Sequence, residues 1–169
     1  MTRVNVRRFG VLLLLALWFV PAVVGGAQSV EVLFTPTVLQ QAVSLKESLH
    51  VGRLESSSAL PLVGASAERK KAYTDRVAGT TALVILGEDA LKAVADMEFA
   101  VPVVITLNAT GTVATKGRVI RVFDGASAPA SAQAVSSASA VKGLLGADKE
   151  VSLKGPANIV IQGVLDALK

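Results

Sequence analysis

Two continuous apolar runs, residues 82–86 (ALVIL) and 101–107 (VPVVITL), constrain this chain more than any other feature. A strand with one face in water alternates apolar and polar side chains, whereas unbroken apolar runs belong to strands covered on both faces, as in parallel sheets. Between the two runs, Gly87-Glu88-Asp89 turns into a segment whose Leu91, Val94 and Ala95 hold helical spacing. A strand–helix–strand unit closes right-handed with its strands parallel. The sequence therefore predicts a parallel central sheet with helices on both faces.

The flanking segments extend that alternation. Residues 30–34 (VEVLF) read as a first strand, and Thr35-Pro36-Thr37 as its end and a helix start with Pro in the first turn. Val38, Leu39, Ala42, Val43 and Leu49 are expected on the inner face of that helix. Residues 51–54 form a weak second strand, followed by a loop over 56–65. Ser66 is placed to cap a helix with Glu68, Arg69, Lys70, Asp75 and Arg76 outward and Ala72, Tyr73 and Val77 inward, ended by Gly79. Residues 118–123 (RVIRVF) are a further strand, whose arginines place it nearer an edge. The Ala/Ser-rich segment 124–140 is either a linker or, by the spacing of Ala134, Val135, Ala138, Val141 and Leu145, a helix starting near Ser131. Residues 151–153 are a strand stub, and Pro156 opens a last helix burying Val160, Ile161, Val164, Leu165 and Leu168. The whole is expected to be one α/β domain over residues 28–169. It is doubly wound, with a mainly parallel sheet of about five strands in flavodoxin-like order 2-1-3-4-5.

Ahead of this domain, MTRVNVRR, then FGVLLLLALWFVPAVVGGA, then the polar QSVE have the basic, apolar and small-residue parts of a secretory signal, with cleavage after Ala27. The apolar stretch is short against the roughly 20 residues of a membrane span and is ended by Pro21 and Gly25-Gly26, so membrane attachment is expected only if the signal is retained. The expected location is periplasmic or secreted. The chain has no cysteine, which removes disulfides, thiolate metal sites and cysteine catalysis. Its net charge of +4 falls to +1 without Arg3, Arg7 and Arg8. No nucleic-acid partner is expected, because a phosphate-binding surface needs clustered charge in the folded part.

In a doubly wound sheet, ligands sit outside the carboxyl ends of the strands. That rule selects Thr35 and Thr37 after the first strand, Gly87 and Glu88 after the third, Asn108 and Thr110 after the fourth, and the turn at Asp124-Gly125. Gly87 lets the backbone approach a ligand, and the N–H groups after it either bind an anion or are satisfied by the acidic first turn of Glu88 and Asp89. Thr35, Asn108 and Thr110 either orient a polar ligand or bond locally in turns. His50, the single histidine, supplies no metal triad. The motifs G-x-S-x-G, G-x-G-x-x-G and G-x-x-x-x-G-K-[ST] are missing, and no nucleophile and base can be paired, so neither catalysis nor a cofactor is expected. Arg69-Lys70-Lys71 reads as a solvated helix face.

Residues 80–107 (TTALVILGEDALKAVADMEFAVPVVITL) resemble the exported substrate-binding proteins of ABC transporters, in particular the group similar to tryptophan- or tyrosine-binding components. The resemblance lies in the G-x-x-A turn at Gly87-Glu88-Asp89-Ala90 and the PV strand at Val101-Pro102-Val103-Val104. With the signal and VEVLFTPT it covers about half of residues 28–169. It implies a non-enzymatic binding protein that holds a small polar ligand near Gly87, Glu88, Asn108 and Thr110, with an ABC permease among its partners. Such proteins close two lobes of ~120–150 residues over the ligand, and one lobe fits here. The chain is then expected either to bind something else as a single lobe or to pair with another copy. The second expectation is an interaction or assembly factor of the cell envelope, with a protein partner and no small ligand.

Overall fold

The computed structural model describes residues 28–125 and 127–169, so the expected signal at residues 1–27 lies outside the described residues. In chain order the elements are β1 (Ser29–Phe34), α1 (Leu39–Ser48), β2 (Arg53–Ser58), α2 (Ala67–Val77), β3 (Ala82–Leu86), α3 (Gly87–Ala93), β4 (Glu98–Phe99), β5 (Val103–Leu107), β6 (Ala114–Thr115), β7 (Arg118–Phe123), β8 (Gln133–Ala134), α4 (Ala138–Leu144), β9 (Glu150–Lys154) and α5 (Ala157–Asp166). Two 3-10 turns, Pro36–Val38 and Leu60–Leu62, follow β1 and β2.

Seven strands make one sheet in the order β2-β1-β3-β5-β7-β9-β8, with every neighbouring pair parallel; β4 and β6 pair separately. Read through the long strands, this is the flavodoxin-like 2-1-3-4-5 order with a sixth strand, β9, added. β3 and β5 lie side by side at the centre with Val84 opposite Ile105. Alternate strand residues serve two cores. Val30, Val84, Ile105, Ile120 and Leu153 pack with α1, α4 and α5, while Leu33, Leu83, Ile85, Val104 and Val119 pack with α2, α3 and Phe99. Each fully buried Val, Leu or Ile side chain contributes about 1.5–3 kcal/mol relative to leaving it in water, which is why both runs are apolar throughout except at the buried Thr106. α3 supplies Leu91 to the second core, and the following Val94 joins it, while Ala95 is exposed.

Several elements depart from the expectation, each for a tertiary reason. β2 starts and ends later than residues 51–54, because its register is set by β1, from Ser29 opposite Arg53 to Phe34 opposite Ser58, and an edge strand tolerates the polar run Ser56-Ser57-Ser58. α1 buries Ala42 and Leu45 but leaves Leu39 and Val43 45% and 42% exposed. The inner face runs Val38, Ala42, Leu45 and Leu49, three or four residues apart, and Leu39 and Val43 each lie one position past it on the outer side. On α2, Tyr73 and Val77 are buried and Ala72 is exposed.

β7 is not near an edge but lies between β5 and β9. Its arginines are held by neighbours: Arg121 Nη1 donates to Glu150 Oε2 at 2.9 Å, and Arg118 donates to the carbonyls of Leu145 and Asp148. An arginine whose stem is covered and whose head is paired fits an interior strand. Residues 131–137 are not helical. Val135 N–H donates to Lys154 O at 2.7 Å, drawing this segment alongside β9 as β8, and α4 begins only at Ala138. Gly163 sets where α4 rests on α5: a Cβ there would stand 2.6 Å from Ala138 O and 2.6 Å from Val141 Cγ2.

Candidate functional site

The parallel sheet gathers the loops after β1, β3, β5 and β7 at one edge, and all six residues selected from the sequence stand there. Several of their polar groups are engaged within the rim, while the Thr110 hydroxyl and the Asn108 amide nitrogen bond nothing among the described residues. Thr35, buried, and Thr37 share a hydroxyl–hydroxyl bond of 2.7 Å. Glu88 Oε2 accepts the Thr110 N–H at 2.9 Å, joining the loops after β3 and β5. Asn108 Oδ1 accepts the Asp124 N–H at 2.8 Å, joining the loops after β5 and β7. Asn108 does this from φ 51°, a left-handed backbone that asparagine tolerates better than other non-glycine residues. Gly87 takes φ 80°, as its turn requires, and the site a Cβ would occupy is 3.7 Å from Val38 Cγ1. The Glu88 carboxylate thus serves as a tie between loops, and α3, seven residues long, offers no separate anion site.

Beside this rim lies a cleft of about 460 Å³ lined by Gln40, Gln41, Ser44, Leu45 and Ser48 of α1, by Asp124, and by Pro156, Ala157 and Asn158 at the start of α5. Of the polar side chains here, only that of Ser48 is hydrogen-bonded among the described residues, donating to Leu45 O. Those of Gln40, Gln41, Ser44, Asp124 and Asn158 make no hydrogen bond to any described residue. Together they present amide donors and acceptors, a hydroxyl, and one carboxylate. The sequence carried a signal for them: Gln40, Ser44 and Ser48 recur at intervals of four and share one helical stripe. Asn158 was visible only as a first-turn residue, and its place opposite α1 depends on α1 and α5 covering the same face of the sheet.

His50, between α1 and β2, donates its backbone N–H to Gln162 Oε1 at 2.8 Å and does not line the cleft. Among the described residues no group of three or more His, Asp or Glu side chains is placed to hold a metal ion, and no helix is long and apolar enough to cross a membrane.

The other charge cluster is under β1 and β2. Glu31, fully buried, receives both guanidinium nitrogens of Arg76, at 2.9 and 3.2 Å. Arg76 also reaches Glu55 and Ser57 and lies 5.0 Å from the centre of the Tyr73 ring. The Glu31 hydrogen bond pushes the Arg76 pKa further up. Burial, then the nearby Glu31 charge, pushes the Tyr73 phenol well above its ordinary value.

Comparison of the chain with protein-family models, with curated proteins and with solved structures finds no match.

Proposed function

We propose that the chain is an exported, non-enzymatic binding protein that takes a small polar ligand in the cleft between α1 and α5, as a single lobe of the kind found in ABC transporter substrate-binding proteins. The observation that carries this reading is the row of amide, hydroxyl and carboxylate groups at Gln40, Gln41, Ser44, Asp124 and Asn158 that bond nothing among the described residues, beside a rim in which Thr35, Thr37, Glu88 and Asn108 Oδ1 are engaged. A cleft of about 460 Å³ falls within the ordinary range for small-molecule sites. Its one charge, Asp124, suits an ammonium or hydroxyl group on the ligand, and the amides suit further hydroxyl or carbonyl groups. A permease is the partner such a lobe serves.

Thermal-shift screening of sugars, polyols and amino compounds tests this, since a ligand that binds only the folded state raises the melting temperature by mass action. A hit whose shift disappears in Asn158→Ala and Gln41→Ala supports the cleft. A hit unaffected by both substitutions removes it.

A second reading, a protein partner at the same end of the molecule, is favoured by Leu39 and Val43, which stand exposed one turn apart on α1. In that case the screen yields no ligand, and Leu39→Asp abolishes capture of the partner.

A further inference from the structure

The basic face of α2 is less uniform than its sequence. Three of its four cations are neutralised: Lys70 Nζ lies 2.5 Å from Asp96 Oδ2, Lys71 Nζ 2.7 Å from Asp75 Oδ2, and Arg76 holds Glu31 at 2.9 Å. Among the described residues the Arg69 guanidinium has no acidic partner. Instead it borders a second cavity, of about 310 Å³, walled by Ser57 and Ser58 at the end of β2, Pro61 and Leu62 of the 3-10 turn, and Tyr73 one helical turn from Arg69.

The chemistry of that wall is one-sided. Ser57 Oγ accepts from Arg76 Nη2 at 3.2 Å, and Ser58 Oγ accepts from the Leu60 N–H at 3.3 Å. Neither hydroxyl donates to any described residue, so each keeps its O–H to offer. Ser57 stands on the α2 face of β2, whereas Ser58 pairs with Phe34 on the other face, so it is the Ser57 hydroxyl and the Arg69 guanidinium that ask for an acceptor carrying one negative charge. The rest of the wall is apolar and firmly placed. Leu62 is buried, and the Tyr73 ring is held edge-on by Phe99 at 6.4 Å between ring centres. In the same turn Leu60 and Val63 stand 55% and 63% exposed.

We propose that this cavity binds a small aliphatic or aromatic carboxylate. Its carboxylate takes the Arg69 guanidinium and the Ser57 hydroxyl, and its hydrocarbon part lies on Pro61, Leu62 and Tyr73. This site is separate from the cleft between α1 and α5 and does not depend on it.

The test is a titration of the isotopically labelled full chain with hexanoate, followed by amide chemical shifts, with hexanamide and inorganic phosphate as comparison probes. Saturable shifts at Ser57, Ser58, Arg69 and Tyr73 with hexanoate, and none with hexanamide, are expected. Arg69→Gln is expected to weaken hexanoate binding about tenfold or more, as for the loss of one charge-assisted hydrogen-bonding group. Its melting temperature should be unchanged, because Arg69 has no partner within the fold, and Asp124→Asn should leave hexanoate binding intact. Equal affinity in Arg69→Gln, equal binding of hexanamide, tighter binding of phosphate than of hexanoate, or shifts that move to the cleft and vanish in Asp124→Asn would each overturn the proposal.

Discussion

At the carboxyl edge of the sheet, Glu88 and Asn108 reach across to bind the backbone of neighbouring loops, whereas in the adjoining cleft Gln40, Gln41, Ser44 and Asn158 bind nothing among the described residues. The two regions are made of the same side-chain types and lie at the same end of the same strands. What separates them is their backbone. Loops leave N–H groups without ladder partners, and a carboxylate or amide nearby is drawn into satisfying them. The helical residues of α1 already have their N–H and C=O groups in use, so their side chains remain available. Glu88 and Asn108 hold neighbouring loops together, whereas the side chains of Gln40, Gln41, Ser44 and Asn158 on the helices, and of Asp124 in the loop after β7, bind nothing among the described residues.

The largest expected effect tests the framework beneath both regions. Asp at Val84 or Val104 places an unpaired carboxylate where exposure is zero, and each is expected to cost about 4 kcal/mol or more in urea unfolding, or to prevent folding. Wild-type melting in either variant would mean that β3 and β5 are not the centre of the sheet.

Next comes the rim itself. Glu88→Ala and Asn108→Ala are each expected to lower stability by about 1 kcal/mol, the usual net contribution of such a bond. Neither should alter ligand binding beyond that loss. If Glu88→Ala keeps full stability and loses a ligand, the rim is a binding surface after all and the contrast fails.

In the cleft the pattern should invert. Gln40→Ala, Ser44→Ala and Asn158→Ala are expected to stay within about 0.5 kcal/mol of wild type, as surface substitutions without partners do, while removing the thermal shift given by a ligand. A stability loss of the rim's size at Asn158 would show that its side chain is part of the framework.

The smallest effect concerns the buried corner under β1 and β2, and appears only in alkali. Tyr73 has its phenol pKa raised by burial and then by Glu31. A raised folded pKa means that the neutral phenol contributes stability in full below the unfolded value of about 10, and that this contribution is lost as pH rises beyond it. Tyr73 is the only tyrosine, so tyrosinate absorbance reports it alone. The absorbance should rise together with unfolding, and Tyr73→Phe should flatten the alkaline fall in stability. A reversible rise near pH 10 in the folded protein would place the hydroxyl in water.

The α/β class, the parallel sheet and its central pair are legible in the amino-acid sequence alone. Apolar runs such as ALVIL and VVITL, unbroken because both faces are covered, state their burial locally, and Ser66 and Pro156 mark helix starts by local rules. The sequence also placed Thr35, Thr37, Gly87, Glu88, Asn108 and Thr110 together at one edge of the sheet, because that edge follows from strand direction. The remainder depends on contacts between segments distant in the chain. Polar β2 exists because β1 supplies its register, and β7 is interior because Glu150 and nearby backbone carbonyls receive its arginines. Residues 131–137 leave the helical pattern because the carbonyl of Lys154 takes the Val135 N–H. The cleft lies on α1 and α5, elements more than a hundred residues apart, because both pack on one face of the sheet, and the spacing of residues within either helix carries no record of the other.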